Sequence, residues 1–364
     1  MRVGLPREIK DGEYRVALTP EGARALTALG CALVVEPGAG AGAGFADAEF
    51  AAAGAVSGDP WDCDLLLKVK ELQPPEFGRP RRGQIVFGFQ HFAPDPDLLA
   101  AALASGATFI AFETVGQADA SLPILAPMSA IAGRLAVQVG AWCLQKQAGG
   151  SGVLLPGLEG VAPGRVTIIG AGNVGANALT VACGLGARVC LFARTARRFA
   201  ALRVRHPEAQ YHAGIETLPD ALRQSDLVIA GVLTPGQMSP KLIDRPMLRA
   251  MRPGSAFVDV GIDQGGIAET SRATSHSEPT FVEEGIVHYC VPNMPSACAR
   301  TASLALEQAV LPYVLALAQG TLAQTLAIRP ELADGVQVHR GEVTHAHLAS
   351  DTRHNHAVLR ERLR

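Results

Sequence analysis

The stretch from Val166 to Gly175 constrains the fold of this chain more than any other. Four apolar, β-prone residues lead into Gly-x-Gly-x-x-Gly, and a helix-forming run, Ala176–Ala182, follows. In such a strand–turn–helix, Gly170 makes the tight turn, Gly172 admits a pyrophosphate and Gly175 allows close helix packing. The helix N-terminus presents N–H groups and a positive dipole end to phosphates. The pattern predicts a dinucleotide-binding Rossmann domain with cofactor contacts at Gly170, Gly172, Asn173, Val174 and Gly175.

The next predicted strand, Val189–Phe192, bears on which dinucleotide is bound. An acid usually follows this strand and binds the ribose 2′-hydroxyl, but here Ala193 stands in that place. Guanidinium groups pair bidentately with phosphate, and a charge-assisted hydrogen bond contributes roughly 1.5–3 kcal/mol. We therefore expect NADP(H) to be favoured over NAD(H). The cofactor contacts expected here are Ala193, Arg194, Thr195 and Arg198, with Arg197 nearby. The alternative is a solvated basic loop beside a bound NAD.

Composition narrows the class of protein. With 364 residues the chain can form two domains, and a formal net charge of −2 gives no basic excess for nucleic acid. No uncharged apolar run reaches the roughly 20 residues of a membrane helix, and no signal-peptide pattern opens the chain. Seven cysteines without a C-x-x-C pair indicate reduced thiols. We expect a soluble, cytoplasmic protein that binds neither nucleic acid nor membranes.

Residues 1–128 alternate strand-like and helical patterns, which predicts parallel strands with helices on both faces. The predicted strands are Arg2–Pro6, Ala32–Glu36, Leu65–Lys70, Gln84–Phe89 and Thr108–Phe112, and the predicted helices are Glu21–Leu29, Asp47–Ala53 and Asp97–Ser105. A second set of six strands, the count of a complete dinucleotide-binding sheet, is predicted at Val166–Ile169, Val189–Phe192, Gln210–His212, Leu227–Ala230, Ala256–Val260 and Val287–Val291.

Two long helices are predicted to connect these regions. Ser129–Lys146 has apolar residues at helical spacing with Ser129 as a candidate N-cap, and Thr301–Gln319 would return the chain to the first domain. The predicted fold is therefore α/β, with two doubly wound domains, one of them a Rossmann domain, joined by two long helices. The substrate domain would comprise residues 1–128 plus 299–364, and the dinucleotide-binding domain residues 129–298.

The segment 321–364 is charged and rich in histidine. We interpret it as a surface tail without a bound metal, since His345 and His347 at i, i+2 do not share a helix face. No metal site is predicted anywhere in the chain.

Four cationic or titratable side chains fall near predicted strand ends in the first domain: Arg15, Lys68, Lys70 and His91. Lys68 and Lys70 alternate along a strand, which would place them on one face. Ligands bind beyond the carboxyl ends of strands in open α/β sheets. Together these residues indicate a cationic pocket for a small carboxylate, although each alone could be a solvated or packed residue.

Asp263 follows the strand Ala256–Val260 and precedes Gly265-Gly266. Such an acid would face a nicotinamide, or it could simply form a turn. Asn293, after the strand Val287–Val291, is similarly placed.

Taken together, these stretches resemble the alanine dehydrogenase family, relatives of the NAD-binding subunit of proton-pumping transhydrogenase. The resemblance runs from Val3 to about Gln319. The specific stretches are Val3–Glu8, Tyr14–Pro20, Lys68–Glu71, Phe112–Val115, Ala126–Ser129, Val260–Gly266 and Asn293–Pro295.

The resemblance implies roles for the matching residues. Arg15 and Lys70 would bind the substrate carboxylate and carbonyl oxygen, His91 would be the acid/base, and Asp263 would handle protons on attacking ammonia or water. Ser129, Val232, Leu233 and Asn293 would line the cofactor. The resemblance also implies direct hydride transfer and a homohexamer.

This sequence departs from the family pattern at Ala193, Ala130 and Pro292, which makes cofactor choice an open point. We expect an amino acid dehydrogenase that carries out reversible reductive amination of a small 2-oxo acid with ammonium, L-alanine and pyruvate being the default pair. The alternatives are an opine-type imine reductase of the same family and a catalytically silent, transhydrogenase-like nucleotide-binding subunit.

Overall fold

The computed structural model describes residues 1–117, 121–232 and 239–363. It divides into two compact units, one formed by Met1–Met128 with Ser296–Arg364 and the other by Ser129–Pro295. Leu233, one of the expected cofactor contacts, lies outside the described residues.

The elements of residues 1–128 follow the predicted alternation closely. The strands are β1 (Arg2–Leu5), β2 (Ala32–Val35), β3 (Val56–Ser57), β4 (Leu65–Leu67), β5 (Ile85–Gly88) and β6 (Thr108–Ala111). The helices are α1 (Pro20–Ala28), α2 (Asp47–Ala52) and α3 (Pro96–Ser105). Two of the helices have well-defined N-termini. The side chains of Thr19 and Asp95 cap α1 and α3, and a proline occupies the next position of each helix.

Helix α4 (Leu125–Cys143) carries the chain into the second unit. It begins four residues earlier than predicted, so Ser129 is an interior helical residue and the N-cap interpretation is wrong. The prediction failed because Pro127 was not read as a first-turn residue, where a missing N–H costs little.

The second unit contains the strands β7 (Arg165–Ile169), β8 (Arg188–Ala193), β9 (Gln210–Ala213), β10 (Leu227–Ala230), β11 (Ala256–Asp259), β12 (Thr280–Glu283) and β13 (Ile286–Tyr289). Its helices are α5 (Asn173–Gly184), α6 (Phe199–Arg205), α7 (Leu218–Gln224) and α8 (Arg245–Arg249). The chain returns to the first unit between Pro295 and Ser296, and then forms α9 (Ala299–Gln319), α10 (Leu322–Ile328), β14 (Val336–His339), β15 (Glu342–Val343), α11 (Ala346–Thr352) and α12 (Leu359–Arg362).

Within the described residues, the first sheet has the order β15-β14-β6-β5-β4-β1-β2-β3 and the second β12-β13-β11-β10-β7-β8-β9. Six consecutive strands in each sheet are mutually parallel. When only its parallel strands are numbered, each sheet has the order 3-2-1-4-5-6, the arrangement of a doubly wound dinucleotide-binding sheet. The predicted fold class is confirmed.

The C-terminal segment is not a surface tail, so that interpretation is wrong. β14 pairs antiparallel with β6, and Val338, Val343 and Leu348 belong to the buried core of the first unit. His339 is buried, with Nδ1 2.8 Å from the Thr108 hydroxyl. The charged residues between these apolar positions lowered the apparent hydrophobicity of the segment and hid the strand.

The second sheet also ends in an antiparallel strand that the sequence did not predict. β12 and β13 form a hairpin whose two turn residues, Glu284 and Gly285, have φ values of +52° and +75°. Two positive φ values in a two-residue loop match the right-handed twist of paired strands.

Among the described residues, one helical stretch is long and apolar enough, by length and composition, to cross a membrane. It is Met294–Gln319, which consists of a 3-10 turn followed by α9. Half of its apolar 18-residue segment is buried inside the protein, and core helices of soluble proteins meet the same criterion of length and composition.

Candidate functional site

In the first unit, the chain leaves β1 and β4 in opposite directions along the sheet, which creates a switch point at their carboxyl ends. Four segments with charged residues follow the carboxyl ends of adjacent strands. They are Arg7-Glu8 after β1, Lys68–Glu71 after β4, His91 after β5 and Glu113 after β6. Of the four residues predicted to form a cationic pocket, Lys68, Lys70 and His91 lie in these segments, and Arg15 lies between β1 and α1.

Arg15 is held rigidly by Glu13. The guanidinium Nε donates to Glu13 Oε1 at 2.7 Å and Nη2 donates to Oε2 at 2.6 Å, while only 2% of Arg15 is exposed. Nη1 is 3.2 Å from Met128 Sδ. The carboxylate Oε1 also accepts from the Arg15 backbone and from the Ser296 hydroxyl. A bidentate buried pair fixes the plane of the guanidinium, which suits recognition of a planar carboxylate.

Lys70 and His91 are in direct contact. Lys70 Nζ is 3.3 Å from His91 Nε2, and Glu71 Oε2 is 3.9 Å from the same Nζ. Lys10 Nζ donates to Glu71 Oε1. Burial alone would raise the pKa of Glu71, but the positive charges of Lys70, His91 and Lys10 outweigh burial and lower it. Glu71 is therefore a carboxylate that balances the cations around it.

The backbone of His91 is held in a left-handed conformation, with φ of 46°. Glu113 Oε1 accepts hydrogen bonds from the backbone N–H groups of Gln90 at 3.1 Å and His91 at 2.8 Å. The imidazole lies parallel to the Phe89 ring with centroids 5.8 Å apart, and its Nδ1 is 3.9 Å from Glu113 Oε1. A non-glycine residue with positive φ costs free energy, so its surroundings must impose the conformation.

Lys68 does not contribute to this group, although the sequence placed it on one face with Lys70. The strand ends at Leu67, so the alternation of strand side chains does not extend to Lys68 and Lys70. Lys68 Nζ lies 3.2 Å from Glu8 Oε2 and 3.0 Å from Glu76 Oε1, and the side chain is 1% exposed. Burial opposes its charge, but the two carboxylates prevail and raise the pKa of Lys68. Lys68 is a buried ion-pair residue.

In the second unit, the glycine turn after β7 has the geometry that the fingerprint requires. Gly170 has φ of +105°, and a Cβ there would lie 2.5 Å from the carbonyl oxygen of Gly231. A Cβ on Gly175 would lie 1.7 Å from the Gly170 oxygen, so helix α5 packs directly on the turn. Among the described residues, a Cβ on Gly172 would meet no atom within 4 Å, which leaves space there beside the backbone at the start of α5. These features fit a dinucleotide pyrophosphate.

The residues after β8 are exposed to solvent. Ala193 is the last, half-buried residue of the strand, and the exposed residues that follow are Arg194, Thr195, Arg197 and Arg198. Arg198 Nη1 is 3.5 Å from the carbonyl oxygen of Ala171 in the glycine turn. Solvent screens exposed guanidinium groups strongly, so their positive charge is weak evidence for a phosphate site.

The other expected cofactor and catalytic residues of the second unit lie near the carboxyl ends of its strands. Val232 follows β10 and is half-buried, and its carbonyl oxygen is 3.5 Å from the Ser239 hydroxyl. Asp263 lies exposed in a short 3-10 turn after β11. Asn293 follows β13 with φ of 59°. Ser129 is half-buried near the start of α4.

Sequence reasoning missed the carboxylates that hold these elements in place. Asp259, the last residue of β11, accepts hydrogen bonds from the backbone of Gly261 and Ile267 and from the Ser271 hydroxyl, at 3.1, 2.8 and 2.6 Å. Its burial raises its pKa despite these bonds. Glu13 and Glu113 act similarly in the first unit. In the sequence, each of these residues is visible as an acid at or near the end of a strand or turn, but that position does not indicate which group its carboxylate contacts.

Comparisons with known proteins agree with this geometry. Residues 4–132 match the family described as "Alanine dehydrogenase/PNT, N-terminal domain", and residues 136–346 match "Alanine dehydrogenase/PNT, C-terminal domain". The chain is 49% identical to an alanine dehydrogenase of Halomonas elongata and 45% identical to one of Mycolicibacterium smegmatis, covering 96% of each chain. A solved structure of L-alanine dehydrogenase matches with a TM-score of 0.94 at 40% identity, covering 97% of this chain and 99% of the other.

These similarities correct the expected cofactor preference. Alanine dehydrogenases are NAD(H)-dependent, so the prediction of NADP(H) preference from Ala193 and its arginines is wrong. The physical reason lies in the loop after β8, where the arginines are exposed and Arg198 is directed to a backbone carbonyl. The solvated basic loop beside NAD, the alternative considered for this sequence, is the interpretation that agrees with the family.

Both halves of the chain, their fold and their close relatives lead to one conclusion. The chain belongs to the alanine dehydrogenase family of NAD-dependent oxidoreductases, and its relatives named alanine dehydrogenase support an amino acid dehydrogenase activity with alanine.

Proposed function

We propose that this protein catalyses the reversible reductive amination of pyruvate by ammonium to L-alanine, with NAD(H) as cofactor. The observations that carry the proposal are the buried guanidinium of Arg15 oriented by Glu13 and the contact between Lys70 and His91, in a chain of this family.

Arg15 is proposed to bind the carboxylate of the 2-oxo acid. Its guanidinium is buried and oriented by Glu13, so little side-chain entropy remains to be lost when a substrate binds. Lys70 is proposed to stabilise negative charge on the carbonyl oxygen. As an ammonium it donates only, so its contact with His91 requires that Nε2 of the imidazole accept the hydrogen bond.

His91 is proposed as the acid/base at the carbinolamine oxygen. In the amination direction it would give a proton to the departing hydroxyl, and in the deamination direction it would take a proton from attacking water. The contact of His91 Nε2 with Lys70 supports the neutral imidazole, which can accept a proton. The carboxylate of Glu113 near Nδ1 supports the imidazolium, which can donate one. Asp263 is proposed to accept protons from the attacking ammonia.

For the cofactor, Gly170, Gly172, Asn173, Val174 and Gly175 are proposed to hold the pyrophosphate, and Ala193, Arg194, Thr195 and Arg198 to lie at the adenosine ribose. Ser129, Val232, Leu233 and Asn293 are proposed to line the rest of the dinucleotide. The space beside Gly172 and the start of α5 support this assignment. Bound NADH would supply the hydride, and the protein supplies orientation and charge. A homohexamer and a cytoplasmic location are part of the proposal through family membership alone.

The decisive experiment follows NADH oxidation with pyruvate, with and without ammonium. Ammonium-dependent turnover is expected, and it should disappear in His91→Ala while NADH binding, measured by fluorescence, persists. The matched control is His354→Ala, since His354 is an exposed histidine of the C-terminal segment.

Other outcomes would overturn parts of the proposal. Turnover only when an amino acid replaces ammonium would indicate an opine-type reductase. NADH binding without turnover by any 2-oxo acid would indicate a silent nucleotide-binding subunit. Full activity of His91→Ala would remove His91 from the reaction.

A further inference from the structure

A cluster of three potential metal ligands lies in the second unit, separate from every residue assigned above. Cys183 is in the last turn of α5, His206 follows α6, and Glu208 precedes β9. One ligand atom from each of the three lies within 4.8 Å of the others. We call these residues the Cys183 cluster.

The hydrogen bonds of His206 determine which ring nitrogen is available. The Thr180 hydroxyl donates to the Ala176 carbonyl oxygen at 3.0 Å, so its oxygen can accept from His206 Nε2, 3.1 Å away. This arrangement places the imidazole hydrogen on Nε2 and leaves the Nδ1 lone pair for another partner. An outer residue that fixes the tautomer in this way is typical of metal-binding histidines.

The available nitrogen faces negative charge. His206 Nδ1 is 3.7 Å from Glu208 Oε1, beyond hydrogen-bonding distance. A lone pair facing a carboxylate is unfavourable unless a proton or a cation lies between them. The Cys183 thiol is hydrogen-bonded to the same Glu208 carboxylate, so the cluster brings together one sulfur, one nitrogen and one oxygen ligand.

We propose that Cys183, His206 and Glu208 bind a zinc ion, with the fourth position open to water. Thiolate and imidazole ligands with one carboxylate suit Zn²⁺, whereas hard ions such as Mg²⁺ and Ca²⁺ prefer oxygen ligands alone. Binding exchanges the thiol proton of Cys183 for the metal, and the proton is released to solvent. The ligand atoms lie within 4.8 Å of one another, so a modest approach by side-chain rotation, which the exposed Glu208 allows, would bring each to a Zn–ligand distance of about 2.0–2.3 Å.

The position of the site determines its effect. It would connect the end of α5 to the segment between α6 and β9, in addition to the hydrogen bond between Thr180 and His206. Zinc should therefore stabilise the second unit, with a stabilisation that rises as the logarithm of the zinc concentration above the dissociation constant. Because the cluster is separate from the glycine turn, NADH binding should not require zinc.

The test uses Co²⁺ as a spectroscopic substitute in the full-length protein. A thiolate-to-cobalt charge-transfer band is expected at one equivalent per chain, and added Zn²⁺ should remove it. Cys183→Ser should abolish the band, and Thr180→Val should weaken cobalt affinity by about 10- to 100-fold. Cys190→Ser is the matched control, since Cys190 is a half-buried cysteine of β8 outside the cluster, and it should retain the band.

NADH binding in each variant verifies that the unit is folded. For a variant that does not bind NADH, Glu208→Gln replaces it, because this exposed side chain can be changed without loss of core packing. Absence of a band in the wild-type protein, or a band that persists in Cys183→Ser, would overturn the proposal.

Discussion

Lys70 Nζ lies 3.3 Å from His91 Nε2, although the two residues follow different strands of the first sheet. Two groups that both carry exchangeable protons are thus in contact at this edge of the sheet. Lys68, two positions before Lys70, has its ammonium surrounded by carboxylates instead. Lys68 and Lys70 therefore have different roles, although they belong to one short segment: Lys68 forms buried ion pairs and Lys70 contacts His91.

This difference predicts opposite results for two lysine substitutions. Lys70→Met should lower kcat/KM for pyruvate by about 100-fold, the size of a lost charge-assisted hydrogen bond, with a thermal midpoint close to that of wild type. Lys68→Met should cost about 3–5 kcal/mol of stability because Glu8 and Glu76 would remain buried without their cation. Urea unfolding and steady-state kinetics measure both effects. Equal stability losses in the two variants would contradict the division of roles.

Glu13 should matter through Arg15. In Glu13→Gln the buried guanidinium loses its charged partner, so we expect a stability loss of about 3 kcal/mol and an increase in KM for pyruvate of about tenfold. The matched control is Glu21→Gln on the exposed first turn of α1, for which we expect less than about 1 kcal/mol. An unchanged KM in folded Glu13→Gln would show that Arg15 needs no fixed orientation.

The hairpin residue Glu284 predicts an acid-dependent change in stability. Hydrogen bonds from Arg249 and Arg245 lower the pKa of Glu284 from 4.5 to about 2. A lowered pKa in the folded state means that the stabilisation is complete above pH 4.5 and is lost as pH falls toward 2. The thermal midpoints of wild type and Glu284→Gln should therefore differ at pH 6 and converge near pH 2. Added salt should reduce the difference at pH 6 because the side chains of Arg245 and Arg249 are exposed to solvent. A difference that is independent of pH would contradict this assignment.

The C-terminal segment should behave as core. Leu348→Ala should destabilise the protein by about 2–4 kcal/mol because the side chain is buried in the first unit. Val358→Ala, a control in the same segment with a 47% exposed side chain, should change stability by no more than about 0.5 kcal/mol. Unfolding in denaturant monitors both variants. Similar, small effects would restore the surface-tail interpretation.

The glycine turn was predictable because its constraints are local. Gly170, Gly172 and Gly175 lie within six residues, and the close contact of Gly175 is with the Gly170 oxygen of the same turn. The cation-rich strand ends were predictable for the same reason: the position of Lys70 and His91 after apolar runs defines the sheet edge.

Other features depend on partners far along the chain, and no local pattern reveals them. The pairing of His339 with Thr108 spans 231 residues, and that of Lys70 with His91 spans 21. The carboxylate that holds His91 comes from yet another strand end, at Glu113. The cofactor prediction failed differently, because residue type at Arg194–Arg198 was visible in the sequence whereas its solvent exposure was not.

Both outer strands of the first sheet, β3 and β15, are only two residues long. Unpaired strand edges are templates for association with other chains, and very short edges limit the number of backbone groups offered to such a partner. The C-terminal residues therefore protect the protein against aggregation in addition to filling its core. Loss of β14 and β15 by proteolysis would expose the full length of β6, so a clipped preparation should form β-rich aggregates before it loses its remaining helices.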